Sequence, residues 1–152
     1  MIDSCVRICS LAAILSFSGN AFPQNVDAAR SVSVVIEAFD GRYGTPLADQ
    51  RLFVFTGQEA VIGHAMRTLL TTDKNGSGTL TVRYPEVQWI QVWADGDVLC
   101  QCEPNPWSFS IVAIRSKGQV APNNCSAFVR HAAPGHLIIY ARPKNFAEKM
   151  RE

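Results

Sequence analysis

Apolar and polar residues alternate with a period of two along most of the chain. Between Ser31 and Phe39, the side chains of Val32, Val34, Ile36 and Ala38 fall on one face, the pattern of a strand with one buried side. Arg51–Thr56 reads as a second strand. Thr68–Thr72 and Thr79–Tyr84 flank the Asp/Asn/Gly-rich stretch Asp73–Gly78, and this predicts a β-hairpin. In Trp89–Ala94, Ile90, Val92 and Ala94 alternate with Trp89, Gln91 and Trp93. In His136–Arg142, Leu137, Ile139 and Ala141 share a face. Asp40–Pro46 is turn chemistry, and Asp95-Gly96-Asp97 is a tight turn into Val98–Cys102. Gln58–Arg67 fits a loop or one helical turn, and Glu103–Pro106 a loop. Trp107–Ile114 fits a strand, or a strand followed by a helical turn, because Ile111 and Ile114 also fit helical spacing. Beyond Pro143, Asn145 and Glu148 are placed as a capping box, so a short C-terminal helix is expected. About seven short strands with Gly-rich turns and no long amphipathic helix predict an all-β sandwich or barrel. One polar face per strand predicts antiparallel sheets.

The first thirty residues follow another rule. Arg7 precedes the apolar stretch Ile8–Phe17, and Gly19-Asn20-Ala21 ends in small residues. Charge, apolar core and small-residue site are the order of a secretory signal peptide, and a core of about ten residues is too short to span a bilayer. Residues 1–21 are therefore read as a signal peptide, with Ala28 or Ala29 as a second cut, and 22–30 as a linker. Residues 31–143 are read as the sandwich and 144–152 as the helix. Cys5 and Cys9 do not follow the apolar core, so no lipid anchor is expected. The protein is expected to be secreted or periplasmic, without a membrane span.

The 152 residues fit one domain, and 47% hydrophobic content can build a core. The 14 Lys+Arg and 13 Asp+Glu give a net charge of +1. They are scattered, so no nucleic-acid partner is expected. The sequence past Ala21 holds Cys100, Cys102 and Cys125, enough for one bridge in an oxidising compartment. Cys100 and Cys102 share a strand face, so either can pair with Cys125.

Each candidate site meets a plainer alternative. Asp73-Lys74-Asn75-Gly76-Ser77-Gly78 resembles half of an EF-hand loop, but Tyr84 stands where the bidentate Glu belongs and the flanks alternate as strands. His64, His131 and His136 with Tyr43, Tyr84 and Tyr140 could supply iron ligands, yet no close His-x-His pair exists. Cys100, Cys102 and Cys125 lack a fourth metal ligand nearby other than His131, and the disulfide reading is preferred. Asn75-Gly76-Ser77-Gly78 lacks the spacing of a nucleophile elbow. No catalytic residue, metal or cofactor is expected. Asn75-Gly76-Ser77 and Asn124-Cys125-Ser126 are glycosylation sequons by pattern. Trp89 and Trp93 share a face about 13 Å apart. Outward, they would make a platform for a protein or glycan; inward, they would fill the core, and the inward placement is expected because large β-formers favour sandwich interiors.

Four stretches resemble the carboxypeptidase regulatory-like and other transthyretin-like modules: Gly44-Thr45-Pro46-Leu47-Ala48, Thr72-Asp73-Lys74-Asn75-Gly76, Ile90–Gly96 and Pro134–Pro143. They occur in family order and, with the strand that precedes the first of them, span residues 31–143. The resemblance implies a seven-stranded antiparallel prealbumin-like (Ig-like) β-sandwich, and it favours Cys100 over Cys102 as the partner of Cys125. Related sandwich enzymes include iron-dependent intradiol dioxygenases, and hydroxyisourate hydrolases whose Tyr-Arg-Gly-Ser tail Lys149-Met150-Arg151-Glu152 does not match. The family's roles are mostly accessory or adhesive, and fold alone does not give function. A secreted non-catalytic module with an unknown protein or glycan partner is the expected role. A metal-dependent enzyme and a self-assembling envelope component are the alternatives.

Overall fold

The computed structural model describes residues 30–60, 66–101 and 107–150. The expected signal peptide, most of the linker, His64, Cys102 and the loop Glu103–Pro106 lie outside the described residues. The strands are β1 (Arg30–Asp40), β2 (Arg51–Gly57), β3 (Met66–Thr71), β4 (Ser77–Tyr84), β5 (Trp89–Ala94), β6 (Asp97–Leu99), β7 (Ser108–Ser110), β8 (Gln119–Val120) and β9 (His136–Pro143). Helix α1 (Ile111–Lys117) follows β7, and α2 (Phe146–Lys149) follows β9.

The strands form two sheets. One runs β4-β1-β9, with β6 and β8 sharing the far side of β9; the other runs β3-β2-β5-β7. Their inner faces meet in one core. Val34, Ile36, Leu52, Val54, Ile90, Val92, Leu137 and Ile139 are buried there by strict alternation. Ile111 and Ile114 of α1 join the same core. The strand-then-helix reading of Trp107–Ile114 is therefore the correct one. Gly118 stops the helix at positive φ, where its N–H donates to the Ile114 carbonyl at 2.9 Å.

Three expectations are corrected. The described residues contain nine strands rather than seven, because the short β6 and β8 patch the open side of β9. The first sheet is mixed rather than antiparallel: β9 runs parallel to both β1 and β8. A parallel neighbour requires a long crossover, and the chain from β1 to β9 traverses both sheets. The third correction concerns Asp73–Gly78. β3 pairs with β2, and β4 pairs with β1, so they are not a hairpin. The turn instead crosses the roughly 10 Å between sheets. Alternation cannot separate the two cases, since both strands face the same core either way. β1 and β2 also lie in different sheets, whereas the first two strands of an immunoglobulin constant domain are neighbours.

The crossing turn is built from its own side chains. Buried Thr72 donates from Oγ1 to the Leu47 carbonyl at 2.5 Å and accepts from the Gln50 N–H at 2.9 Å. Asp73 Oδ1 accepts from the N–H groups of Ser77 at 2.9 Å and Asn75 at 2.8 Å. These bonds, Ser77 first, hold its carboxyl below the usual range. The carboxylate thus serves the turn itself. Gly76 has positive φ, and a Cβ there would lie 2.5 Å from the Ala38 carbonyl of β1.

Candidate functional site

The outer face of the second sheet carries Phe53, Phe55, Trp89 and Trp93. β2 pairs with β3 and β5, so Leu69, Phe53 and Trp93 stand directly opposite one another in one row across three strands. The next row along is Arg67, Phe55, Gln91 and Ser108, and the one after it Gly57, Trp89 and Ser110. Rows lie about 7 Å apart. Leu69 is 49% exposed and Trp93 46% exposed, while Ile90 and Val92 between the indoles are buried. The expectation that Trp89 and Trp93 fill the core is overturned. They share a face, as the spacing requires, and that face points outward. Trp89 is half-buried.

Polar groups frame this surface. The Arg67 guanidinium lies 5.0 Å from the Phe53 ring centroid. Arg51 and Asp95 form an ion pair at 3.1 Å at one end of the face. At the other, Gln91 Nε2 donates to Ser108 Oγ at 2.9 Å, and Ser108 Oγ donates to the Ala60 carbonyl. Ala60, just past the end of β2, is thereby held against β5 and β7, and the Leu69–Phe53–Trp93 row lies outside this contact.

Phe53, Phe55 and Leu69 went unnoticed at the sequence level, although a signal was present. Leu52-Phe53-Val54-Phe55 has no polar position. In a two-layer sandwich a strand that is apolar on both faces needs a cover on each, and here the outer one is open.

On the first sheet, the outer face of β9 and of the end of β1 is covered by the segment 121–135. Cys100 and Cys125 form a disulfide with Cα atoms 5.4 Å apart. Around it, Phe39, Ile138 and Tyr140 are buried with Phe128 and Ala132 packed against them. Tyr140 OH accepts from the Arg130 N–H at 2.7 Å, and the Phe128 ring meets Tyr140 edge-on with centroids 6.2 Å apart. The Arg130 guanidinium lies 4.0 Å from the Phe39 centroid. Asn123 Nδ2 and Ser126 Oγ both donate to the Gly41 carbonyl, at 2.8 and 2.6 Å. The sequon hydroxyl of Ser126 is therefore part of this anchor.

The candidate metal ligands are dispersed. Tyr43 is exposed on the turn after β1, Tyr84 ends β4, and buried Tyr140 lies in β9. His131 is exposed, and His136 Nδ1 sits 3.3 Å from Glu37 Oε2. Among the described residues, no group of three or more His, Cys, Asp or Glu is placed to hold a metal. Among them, too, no helix is long and apolar enough to cross a membrane.

An open cleft of about 430 Å³ lies beside the disulfide, lined by Arg42, Val98, Leu99, Gln101, Asn124 and Arg142 as well as the two cysteines. Its Arg142 is clamped by α2: the guanidinium donates to both oxygens of Glu148 at 2.6 and 2.7 Å. The capping box is present, with Asn145 Oδ1 accepting from the Glu148 N–H at 2.9 Å and Glu148 Oε2 accepting from the Asn145 N–H at 2.8 Å. The Arg142 bonds and then the Asn145 N–H lower the Glu148 pKa from 4.5 to about 2. A depressed carboxylate stabilises the fold above its unfolded pKa and loses that contribution as pH falls through the folded value. Acidification from pH 4.5 toward about 2 should therefore release α2, which buries none of its own residues. Amide chemical shifts of Asn145–Lys149 will report this, and Glu148→Gln should show the released shifts already at neutral pH. Shifts that stay constant over that range would exclude the ion pair as the clamp.

No protein-family model matches the chain, and no curated protein sequence matches it. Function is therefore approached through the exposed row and the disulfide-held fold.

Proposed function

We propose that this chain is an exported, non-catalytic binding module on a prealbumin-like sandwich, and that it engages a protein or glycan partner through the outer face of its second sheet. The observation that carries the reading is the in-register row of Leu69, Phe53 and Trp93, in which Leu69 and Trp93 are exposed and Phe53 between them is half-buried. Monomeric proteins seldom expose contiguous apolar surface without a use for it, and aromatic anchors dominate binding energetics. The disulfide supports an oxidising destination.

The architecture supports the transthyretin-like reading in a specific way. Gly44–Leu47, Thr72–Gly76 and Asp95-Gly96, which carry the resemblance, are each a turn from one sheet to the other. Pro134–Pro143 leads into and contains β9, the strand at the centre of the first sheet. In this reading β1 to β5, β7 and β9 form the seven-stranded framework, with β6 and β8 as additions.

The test is retention on glycan and peptide arrays by the wild type and by Trp93→Ala. The wild type should bind a defined class, and the variant should lose it while keeping its fold. Equal binding by both would overturn the assignment of the face. Stoichiometric iron or zinc in the purified protein would overturn the non-catalytic reading.

A further inference from the structure

We infer that β3 is a docking edge for a second copy of this chain, pairing antiparallel with the β3 of that copy to join two four-stranded sheets into one. The sheet ends differ in how they are protected. β6 and β7 have three residues each and β8 has two, too short to template much pairing. β4 is longer, but the outward residues of β4 and its neighbour β1 are Ser77, Thr79, Thr81 and Arg83 with Ser31, Ser33, Val35 and Glu37, of which Val35 alone is apolar, so this face offers little apolar gain. β3 has six residues, Met66 to Thr71, and all but Leu70 are exposed. It contains no proline and no lysine. Its single charge, Arg67, is folded back over Phe53 rather than projected along the edge.

The register of the apolar row selects a second copy as the occupant. A two-fold axis through Leu69 sets Leu69 against Leu69 of the other copy and Arg67 against Thr71, so no like charges face each other. Because the residues opposite one another in a sheet share a face, the row Trp93–Phe53–Leu69 then continues without a break into the same row of the second copy. Pairing would double the length of the platform. A six-residue edge buries less than the roughly 1,200 Å² of a standard interface, so the dimer is a weak one that forms with rising concentration.

Sedimentation velocity of the full chain over a concentration series, with amide exchange on the same samples, tests this. The wild-type mass should rise toward twice the monomer, and amides of Met66–Thr71 should exchange more slowly as it does. Leu69→Lys sets two charges opposite each other and should remain monomeric. Since Leu69 is half exposed, its melting temperature should match that of the wild-type monomer. A wild type that stays monomeric overturns the proposal. So does a dimer that survives Leu69→Lys, or one that leaves the β3 amides unprotected, as face-to-face stacking of the aromatic surface would. The binding reading fails separately: a monomeric wild type whose array binding is lost in Trp93→Ala sinks the pairing alone.

Discussion

Ile90→Ala should destabilise the protein by about 2–5 kcal/mol, whereas Trp93→Ala, three residues along the same strand, should cost less than about 1 kcal/mol. Ile90 is fully buried between the sheets, and removing its side chain leaves a cavity that the neighbouring Val54, Val92 and Phe109 can only partly fill. Trp93 is nearly half exposed, and what it gives up is its cross-strand place opposite Phe53 of β2. The larger side chain thus contributes less to stability, because apolar area must leave water to count. Chemical denaturation of both variants checks the order. If Trp93→Ala proves the more damaging, the outward placement of the aromatic face is wrong, and with it the candidate site.

Removal of the disulfide should cost about 3 kcal/mol, and lower the melting temperature by about ten degrees or more. The bridge joins residues 25 apart in sequence, and its main effect is to restrict the unfolded chain. The double variant Cys100→Ala/Cys125→Ala is the clean form of this experiment, since no buried thiol is left behind. Hydrogen exchange should locate the damage. Amides of Cys125, Phe128 and Arg130, which bond to Asn123, Ser126 and Tyr140, should lose protection before those of β2 and β5. A double variant as stable as the wild type would mean that side-chain anchoring alone holds the segment 121–135 over Tyr140.

The Cys100–Cys125 bridge was within reach of the sequence, though by resemblance rather than geometry, since the spacing alone left Cys102 equally eligible. The capping box at Asn145 and Glu148 was legible without help, because a cap is a local device whose partners lie within one turn. The period-two faces of β1, β4 and β9 were legible for the same reason. By contrast, alternation accounts for only one face of the continuous buried run Leu137–Ala141. Ile138 and Tyr140 are also covered, by a segment whose Asn, Ser and Pro residues carry no periodic signal. An unbroken apolar run is what a strand buried on both sides produces, and it was the available clue to a central parallel strand.

The amino-acid sequence by itself determined the elements, because alternation, turn chemistry and caps act over a few residues. It determined the all-β class as well, since many half-apolar strands can bury themselves only against one another, while sandwich and barrel stayed equal on the pattern alone. Only the tertiary structure decided which strands are neighbours, which turns cross between sheets, and which face of β5 meets the core. Those outcomes depend on register between segments far apart in the chain, and a shift of one residue would exchange the two faces. In β5, Ile90 and Val92 on one side and Trp89 and Trp93 on the other were both apolar enough to be buried. Pairing with β2, which turns Leu52 and Val54 inward, placed the aliphatic set in the core and left the tryptophans outside.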